Sequence, residues 1–219
     1  MKAGQAIVSS WSGGKDSCLA LFRAIQAGAS PVALLTMLQE DGRHSRSHGL
    51  ALDVLQTQAD ALKIPLVTRA TSWDDYERTF ISALRELEAS GAQAVVFGDI
   101  DIQEHREWEC MVCHEAGLEP YLPLWGAPRA ALLEEFWSAG FRATVVVAKD
   151  DKLGHDFLGR SLAPALVRDL ERLGVDLCGE EGEYHTVVTG GPIFTRPLSL
   201  ELGKRNLHSS YWFVEAEIF

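Results

Sequence analysis

The chain is poor in cysteine, in positive charge and in long apolar runs. Cys18, Cys110, Cys113 and Cys178 are the only cysteines in 219 residues, too few for a disulfide scaffold. That scarcity leads us to expect reduced thiols and a soluble, cytoplasmic protein. No apolar run approaches the ~18 residues that would span a bilayer. The opening Met1-Lys2-Ala3-Gly4-Gln5 carries one basic side chain and no apolar stretch, so no secretory leader is expected. Internal repeats and low-complexity segments are lacking too. Lys and Arg together number 20 against 31 Asp and Glu, a formal charge of −11. A chain that acidic is repelled by nucleic-acid backbones and anionic lipid, so neither is expected as a partner. To handle a polyanion it needs a local cradle of positive potential.

What is present reads as a globular α/β protein. The composition is 47% apolar and 23% charged, ordinary for a packed domain. The length suits one large domain, or a domain with a smaller annex, and needs no staples. Gln5–Ser10 reads as a strand. Cys18, Leu21, Phe22 and Ile25 mark a helix face closed by Gly28. Pro31–Leu38, Ile64–Arg69, Ala94–Phe97 and Thr144–Ala148 are further strands, separated by helical periodicity; a short segment near Glu119–Leu122 precedes a helix, and a last helix runs to about Leu173. Such alternation implies βαβ crossovers and a doubly wound, Rossmann-like parallel sheet, which binds ligands at the carboxyl ends of its strands. From about Asp150 the alternation weakens into short strands and turns such as Tyr211–Phe219. The expected organisation is a nucleotide-binding domain over 1–150 and a small C-terminal subdomain over 151–219.

Directly after the first strand stands Ser12-Gly13-Gly14-Lys15-Asp16-Ser17, at the start of a helix. Two glycines let backbone N–H groups point inward, and the helix N-terminus adds unpaired donors. Lys15 supplies a full charge, Ser12 and Ser17 hydroxyls, and Asp16 a cap or a Mg²⁺ ligand. The run is not a Walker A loop, because Ser9 stands where the first glycine belongs and Asp16 follows the lysine. A plain strand-to-helix turn is the alternative; the complete run at this position favours phosphate binding.

The run SGGKDS resembles the signature of the PP-loop ATPases, which cleave ATP between the α- and β-phosphates. Cys178-Gly179-Glu180-Glu181-Gly182-Glu183-Tyr184-His185-Thr186 resembles a second signature, of the diphthine–ammonia ligase branch. Gly98-Asp99, Arg106, Pro123-Leu124-Trp125 and Leu158-Gly159-Arg160 fall where that branch has similar blocks, so the resemblance covers nearly the whole chain. It implies the PP-loop (adenine nucleotide alpha-hydrolase) fold, with the first and fourth strands adjacent. Ser12, Gly13, Gly14, Lys15, Asp16, Ser17, Gly98 and Asp99 would bind ATP, Asp16 and Asp99 would hold Mg²⁺, and Lys15, Asp16, Glu183 and His185 would act in catalysis. Glu180, Glu181, Tyr184 and Arg160 would contact the second substrate. The activity implied is adenylation of a carboxylate, with loss of pyrophosphate, followed by transfer to ammonia; the carboxylate in that branch is diphthine on elongation factor 2. A PP-loop RNA-modifying enzyme and a non-catalytic ATP-binding module are the alternatives; the charge opposes the first. A homodimer is compatible with this reading.

Other segments are less specific. In an extended Glu180–His185, Glu181, Glu183 and His185 would share one face and Glu180 and Tyr184 the other. Cys110-Met111-Val112-Cys113-His114 spells the haem-attachment pattern but lies mid-helix with no second Cys pair, so it is read as accidental. The loop Gln39–His48 gathers Arg43, His44, Arg46 and His48 and is read equally as a contact for nucleotide or a guide for an acidic substrate, or as a surface loop. Trp108 and Trp137 take helix-face core positions, whereas Trp11 and Trp73 flank the crevice side.

Overall fold

The computed structural model describes residues 1–219. In chain order the elements are β1 (Ala6–Ser10), α1 (Lys15–Gln26), β2 (Ser30–Leu38), α2 (Leu52–Leu62), β3 (Leu66–Ala70), α3 (Tyr76–Ala89), β4 (Ala94–Val96), α4 (Gln103–Ala116) and β5 (Glu119–Tyr121). Then follow α5 (Arg129–Ser138), β6 (Arg142–Lys149), α6 (Pro164–Leu173), β7 (Tyr184–Gly190), β8 (Leu200–His208) and β9 (Tyr211–Ile218). Contacts divide them into two units: Met1–Ser12, Asp16–Ser47 and Lys63–Ala127; and Gly13–Lys15, His48–Leu62 and Pro128–Phe219. No helix is long and apolar enough to cross a membrane.

The first unit is a five-stranded sheet of order β3-β2-β1-β4-β5, with every pairing parallel. Each parallel neighbour needs a crossover, and the apolar stripes of α3 and α4 cover a face of the sheet. On α4, Glu109, Val112, Cys113 and Ala116 recur at helical spacing and are buried. With Phe80, Ala83 and Leu84 of α3, Val112, Cys113 and Ala116 pack on Val8, Leu35, Met37, Val95 and Phe97, alternate residues of the central strands. Burying side chains the size of Phe80 and Leu84 contributes roughly 1.5–3 kcal/mol each. The strand order reverses between β1 and β4, where Ser9 lies opposite Val96. That reversal is the switch point at which sheets of this class leave a crevice.

The second unit is built on an antiparallel sheet of order β7-β6-β9-β8. β6 contains the Thr144–Ala148 run expected from its β-branched residues, but it belongs to this sheet rather than continuing the parallel one. It lies between β7 and β9, so both its edges are paired; Val145, Val146, Val147 and Ala148 are buried in succession, so both its faces are covered, and a doubly buried strand reads alike in either kind of sheet. α2, which lies between β2 and β3 in the chain, packs on β9. β8 is an edge strand with a largely exposed face, and Glu201, Lys204 and Arg205 along it discourage further strand pairing.

Candidate active site

In the second unit, Gly13–Lys15 is held by residues far away in the chain. The Gly13 carbonyl accepts from the Val188 N–H at 3.0 Å and from Gln58 Nε2 at 2.9 Å, and the same Nε2 donates to the Val188 carbonyl at 2.8 Å. Gln58 is fully buried, so a polar side chain otherwise costly to bury is satisfied by clamping the loop. Gly13 has φ of +76°, and a Cβ there would stand 2.6 Å from Gln58 Oε1. A Cβ on Gly14 would collide with the His48 ring, 2.9 Å from Nδ1. The two glycines are therefore required by close packing, apart from any ligand.

Lys15 joins the two sequence signatures. Its backbone N–H donates to Thr186 Oγ1 at 3.1 Å, its ammonium donates to the Cys178 carbonyl, and Nζ lies 5.3 Å from the Tyr184 ring centroid. The side chain is 5% exposed. A buried ammonium needs such partners, and the carbonyl and aromatic face provide them. His48 Nδ1 lies 3.3 Å from the Thr186 carbonyl, and its ring stacks on His185 with centroids 4.4 Å apart. Burial, then the neighbouring Lys15 charge, lowers the His185 imidazole to about 4. Burial, His185 and Lys15 hold His48 well below its ordinary value, against the hydrogen bond that its ring donates to the Thr186 carbonyl. Both rings are neutral at pH 7, with lone pairs for accepting protons.

The Cys178–Glu183 segment is a turn, and β7 starts only at Tyr184. Gly179 and Gly182 adopt φ of +71° and +78°, and the Gly182 N–H donates to the Gly179 carbonyl. The common face expected for Glu181, Glu183 and His185 requires an extended chain, which the left-handed glycines interrupt. Glu183, buried, accepts the Glu181 N–H on Oε2 at 3.2 Å. Tyr184 donates its hydroxyl to the Leu177 carbonyl at 2.5 Å. Asp176 braces the turn, accepting the N–H groups of Cys178 and Glu180 and pairing with Arg129 Nε at 2.9 Å. Arg160 pairs with Asp169 at 2.5 Å and lies over the Phe157 ring.

In the first unit, Ser12 Oγ donates to Ser17 Oγ at 3.1 Å, across the start of α1. Gly98 lies against that helix start: a Cβ there would approach the Asp16 carbonyl carbon and the Ser17 nitrogen to 2.9 Å. Asp99 follows, its Oδ1 2.7 Å from His105 Nδ1 and its carboxylate hydrogen-bonded to Glu109. Burial raises Asp99, but the bonds from His105 and Glu109 outweigh it and hold the carboxyl below its usual range. Glu109, 3% exposed, carries the complementary shift; burial and the Asp99 bond push it up to about 11. One carboxyl of the pair therefore stays protonated, as two close carboxylates require. Burial, partly offset by Arg46, also pushes the nearby Tyr76 phenol up to about 12.

Trp11 is core, with its carbonyl accepting from Thr36, whereas Trp73 is exposed. Cys110 and Cys113 are free thiols on α4, and burial raises Cys113 to about 12, which makes it inert. Sequence reading did not single out Gln58, Asp176, Glu109 or Arg129, and it took His48 only as part of a basic loop.

Two family models match the chain: the diphthamide synthase N-terminal domain over residues 5–120 and its C-terminal domain over 128–218. Among curated relatives, the diphthine–ammonia ligase of Danio rerio is 30% identical, spanning 93% of this chain and 89% of its own. That of Mus musculus is 29% identical over 91% and 84%. The Schizosaccharomyces pombe enzyme is 28% identical over 91% of this chain but 36% of its own greater length. A solved predicted subunit of tRNA methyltransferase from Methanocaldococcus jannaschii aligns at 15% identity and TM-score 0.46, over 85% of this chain and 98% of that one.

Proposed function

Because the chain belongs to the diphthamide synthase family, we infer that it is an ATP-dependent ligase forming a carbon–nitrogen bond, as the diphthine–ammonia ligases do. The observation that carries the reading is the joining of the two signatures at Lys15, through Thr186 Oγ1 and the Cys178 carbonyl. A phosphate loop locked to a carboxylate- and imidazole-bearing turn serves a reaction that activates one substrate with ATP and passes it to another.

In the reaction we propose, a substrate carboxylate oxygen attacks the α-phosphorus and the bond to pyrophosphate breaks, leaving an acyl-adenylate. Ammonia attacks the acyl carbon, AMP leaves with the C–O electron pair, and one proton is lost from nitrogen. Backbone N–H groups of the glycine turn, the α1 N-terminus and the Lys15 ammonium stabilise charge on the departing pyrophosphate. To reach a phosphate, Lys15 exchanges the Cys178 carbonyl for it. The neutral His185 and His48 rings can accept the proton, with Glu183 two residues before His185 in the chain.

Mg²⁺ suits the hard oxygen of Asp16, and when bound it neutralises phosphate charge. Asp99 already has His105 and Glu109 as partners, so we give the metal chiefly to Asp16 and the nucleotide edge to Gly98 and Asp99. Tyr184 and Arg160, committed to Leu177 and Asp169, receive supporting parts; Glu180 and Glu181 remain on the acceptor side.

The test is to incubate the protein with Mg-ATP, ammonium and a diphthine-bearing acceptor, and to identify the nucleotide and the acceptor mass. AMP and amide should form in equal amounts. ADP, or AMP without amide, would sink the reading.

A further inference from the structure

Beyond β4 and β5 the first unit carries a cation that the reaction scheme leaves without a part. The segment after β5, Pro123-Leu124-Trp125, is fixed from several directions. Arg23 of α1 donates through Nη1 to the Pro123 carbonyl at 2.7 Å, and the Gly126 N–H donates to the Ile100 carbonyl at 2.7 Å. Leu124 between them is wholly buried. The Phe97 N–H donates to the Tyr121 carbonyl at 3.0 Å, so the exits of the two strands are tied together. Trp125 is therefore a half-buried ring on a braced loop.

Over that ring lies Arg106, in the first turn of α4, its guanidinium carbon 5.0 Å from the centroid. Arg106 is exposed and makes no hydrogen bond or ion pair within a chain of net charge −11. Carboxylates close to it in sequence have other partners. Gln103 Nε2 donates to Glu107 at 2.9 Å, and Asp99 is held by His105 and Glu109. The indole face attracts the guanidinium and limits where it sits, but it satisfies none of its five N–H donors. Those donors suit an oxyanion, which a guanidinium grips through two of them at once.

The position says which oxyanion. Gly98 abuts the start of α1 at Asp16 and Ser17, Asp99 follows it, and His105 bonds Asp99 one residue before Arg106. Arg106 thus stands on the β4–β5 side of the switch point, next along from the start of α1, which takes phosphate in the ligase reading. Phosphate already has that helix start and the Ser12 and Ser17 hydroxyls. The other anion of the reaction is the carboxylate to be adenylated. We propose that Arg106 is a further catalytic residue, binding one oxygen of the acceptor carboxylate while the other attacks the α-phosphorus, with Trp125 as its positioning residue. This deepens the ligase reading and rests on it. The oxygen that Arg106 holds becomes the carbonyl oxygen of the acyl-adenylate. When ammonia adds to the acyl carbon, the carbonyl π pair moves onto that oxygen, and the guanidinium stabilises the oxyanion until the pair returns and AMP leaves. The amide that results is neutral and is held more weakly than the acid, so the same arginine selects substrate and releases product.

The experiment uses the full chain, a diphthine-bearing acceptor and the same acceptor already amidated. Calorimetry should show the acid bound about ten-fold more tightly than the amide, and Arg106→Gln should erase that difference. In steady state Arg106→Gln should raise the KM for acceptor about ten-fold, lower kcat about 100-fold and leave the KM for ATP unchanged. Arg106→Lys keeps the charge without the fork and should restore part of the KM but little of kcat. Trp125→Leu should raise the acceptor KM about three-fold in the wild-type background and not at all in Arg106→Gln, a coupling that a merely structural tryptophan would not show. Equal binding of acid and amide overturns the proposal. So does an Arg106→Gln variant that makes AMP and amide with an unchanged acceptor KM, in which case the ligase reading stands alone. A raised KM for ATP instead assigns the arginine to phosphate and also overturns it. If the acid is preferred through Arg106 while no AMP ever forms, the carboxylate site stands and the ligase reading falls. An acceptor that binds in neither form overturns both.

Discussion

Each of the two units sets a pair of titratable groups largely out of water, and each silences its pair in a different way. In the second unit His48 and His185 stack beside Lys15, and burial with that positive charge keeps both imidazoles neutral. In the first, Asp99 and Glu109 share a proton, and burial with a negative neighbour keeps one carboxyl neutral. The −11 net charge of the chain therefore says little about either place. What decides is the sign of the nearest group, because in a poorly solvated setting the nearest charge dominates. The two pairs also suit different work: neutral imidazoles accept protons, while a carboxyl–carboxylate pair holds a fixed negative charge with a donor beside it.

The largest effect expected comes from the cation in this contrast. Lys15→Met should lower AMP formation by about 10²–10³-fold, the usual loss when one donor to developing phosphate charge is removed. The same variant tests the electrostatic account. Without the Lys15 charge the His185 imidazole should titrate higher by NMR, though still below its ordinary value, since burial is the larger cause. A His185 that does not move on removing Lys15 would separate the lysine from the pair. The next effect is on the imidazoles themselves. His48→Ala should slow amide formation by about 10–100-fold while ATP still binds, if the rings take the proton from nitrogen. It also has a signature in stability. His185 binds its proton more weakly folded than unfolded, so its contribution is present above pH ~6.5 and lost as the pH falls toward about 4. His48 shifts in the same direction, so His48→Ala should flatten that acid limb of the stability curve.

Much of the fold was legible and rather less of the site. β1 and β2 lie within a residue of their expected bounds, because the glycine turn and the Ala27-Gly28-Ala29 break punctuate them locally. The adjacency of β1 and β4 followed from the resemblance and is present in the sheet. β6 was legible as a strand but not as a member of the antiparallel sheet, since a doubly covered strand carries no mark of its partners' direction. The contact of Lys15 with Cys178 spans 163 positions, beyond the reach of any local pattern. Glu109 was illegible for another reason: a glutamate in a helix reads as a solvated face, and only the fold shows that it points inward beside Val112 and Cys113. Asp176 escaped because its carboxylate serves backbone N–H groups, which leave no trace in composition.

A third prediction tests the carboxyl side of the comparison. Glu109 binds its proton more tightly folded than unfolded, so its contribution is fully present below pH ~4.5 and is lost as the pH rises toward about 11. At pH 8 it is a cost. Glu109→Gln keeps a neutral hydrogen-bonding side chain of the same shape and needs no proton. It should stabilise the protein by about 2 kcal/mol at pH 8 and by almost nothing at pH 4, as read from urea midpoints. A variant destabilised equally at both values would mean that packing, not the shared proton, governs the position.

The smallest effect concerns what anchors the ionised partner. Asp99 accepts from His105, whose side chain is 56% exposed, and a half-exposed pair contributes little, within about 1 kcal/mol. His105→Ala should therefore barely change stability at pH 7. Its consequence lies in acid. A carboxyl held below its unfolded value contributes stability above that value and loses it as the pH falls through the folded one. Burial raises Asp99, and with the opposing bond from His105 gone its carboxyl should titrate higher by carbon NMR, so acid unfolding should begin at a higher pH. The shared proton would then be less firmly assigned to Glu109, since the two carboxyls become more alike. If instead Asp99 keeps its low value without His105, the Glu109 bond alone fixes the ionised partner. The first unit would then need no exposed anchor, just as the second holds its imidazoles neutral from within.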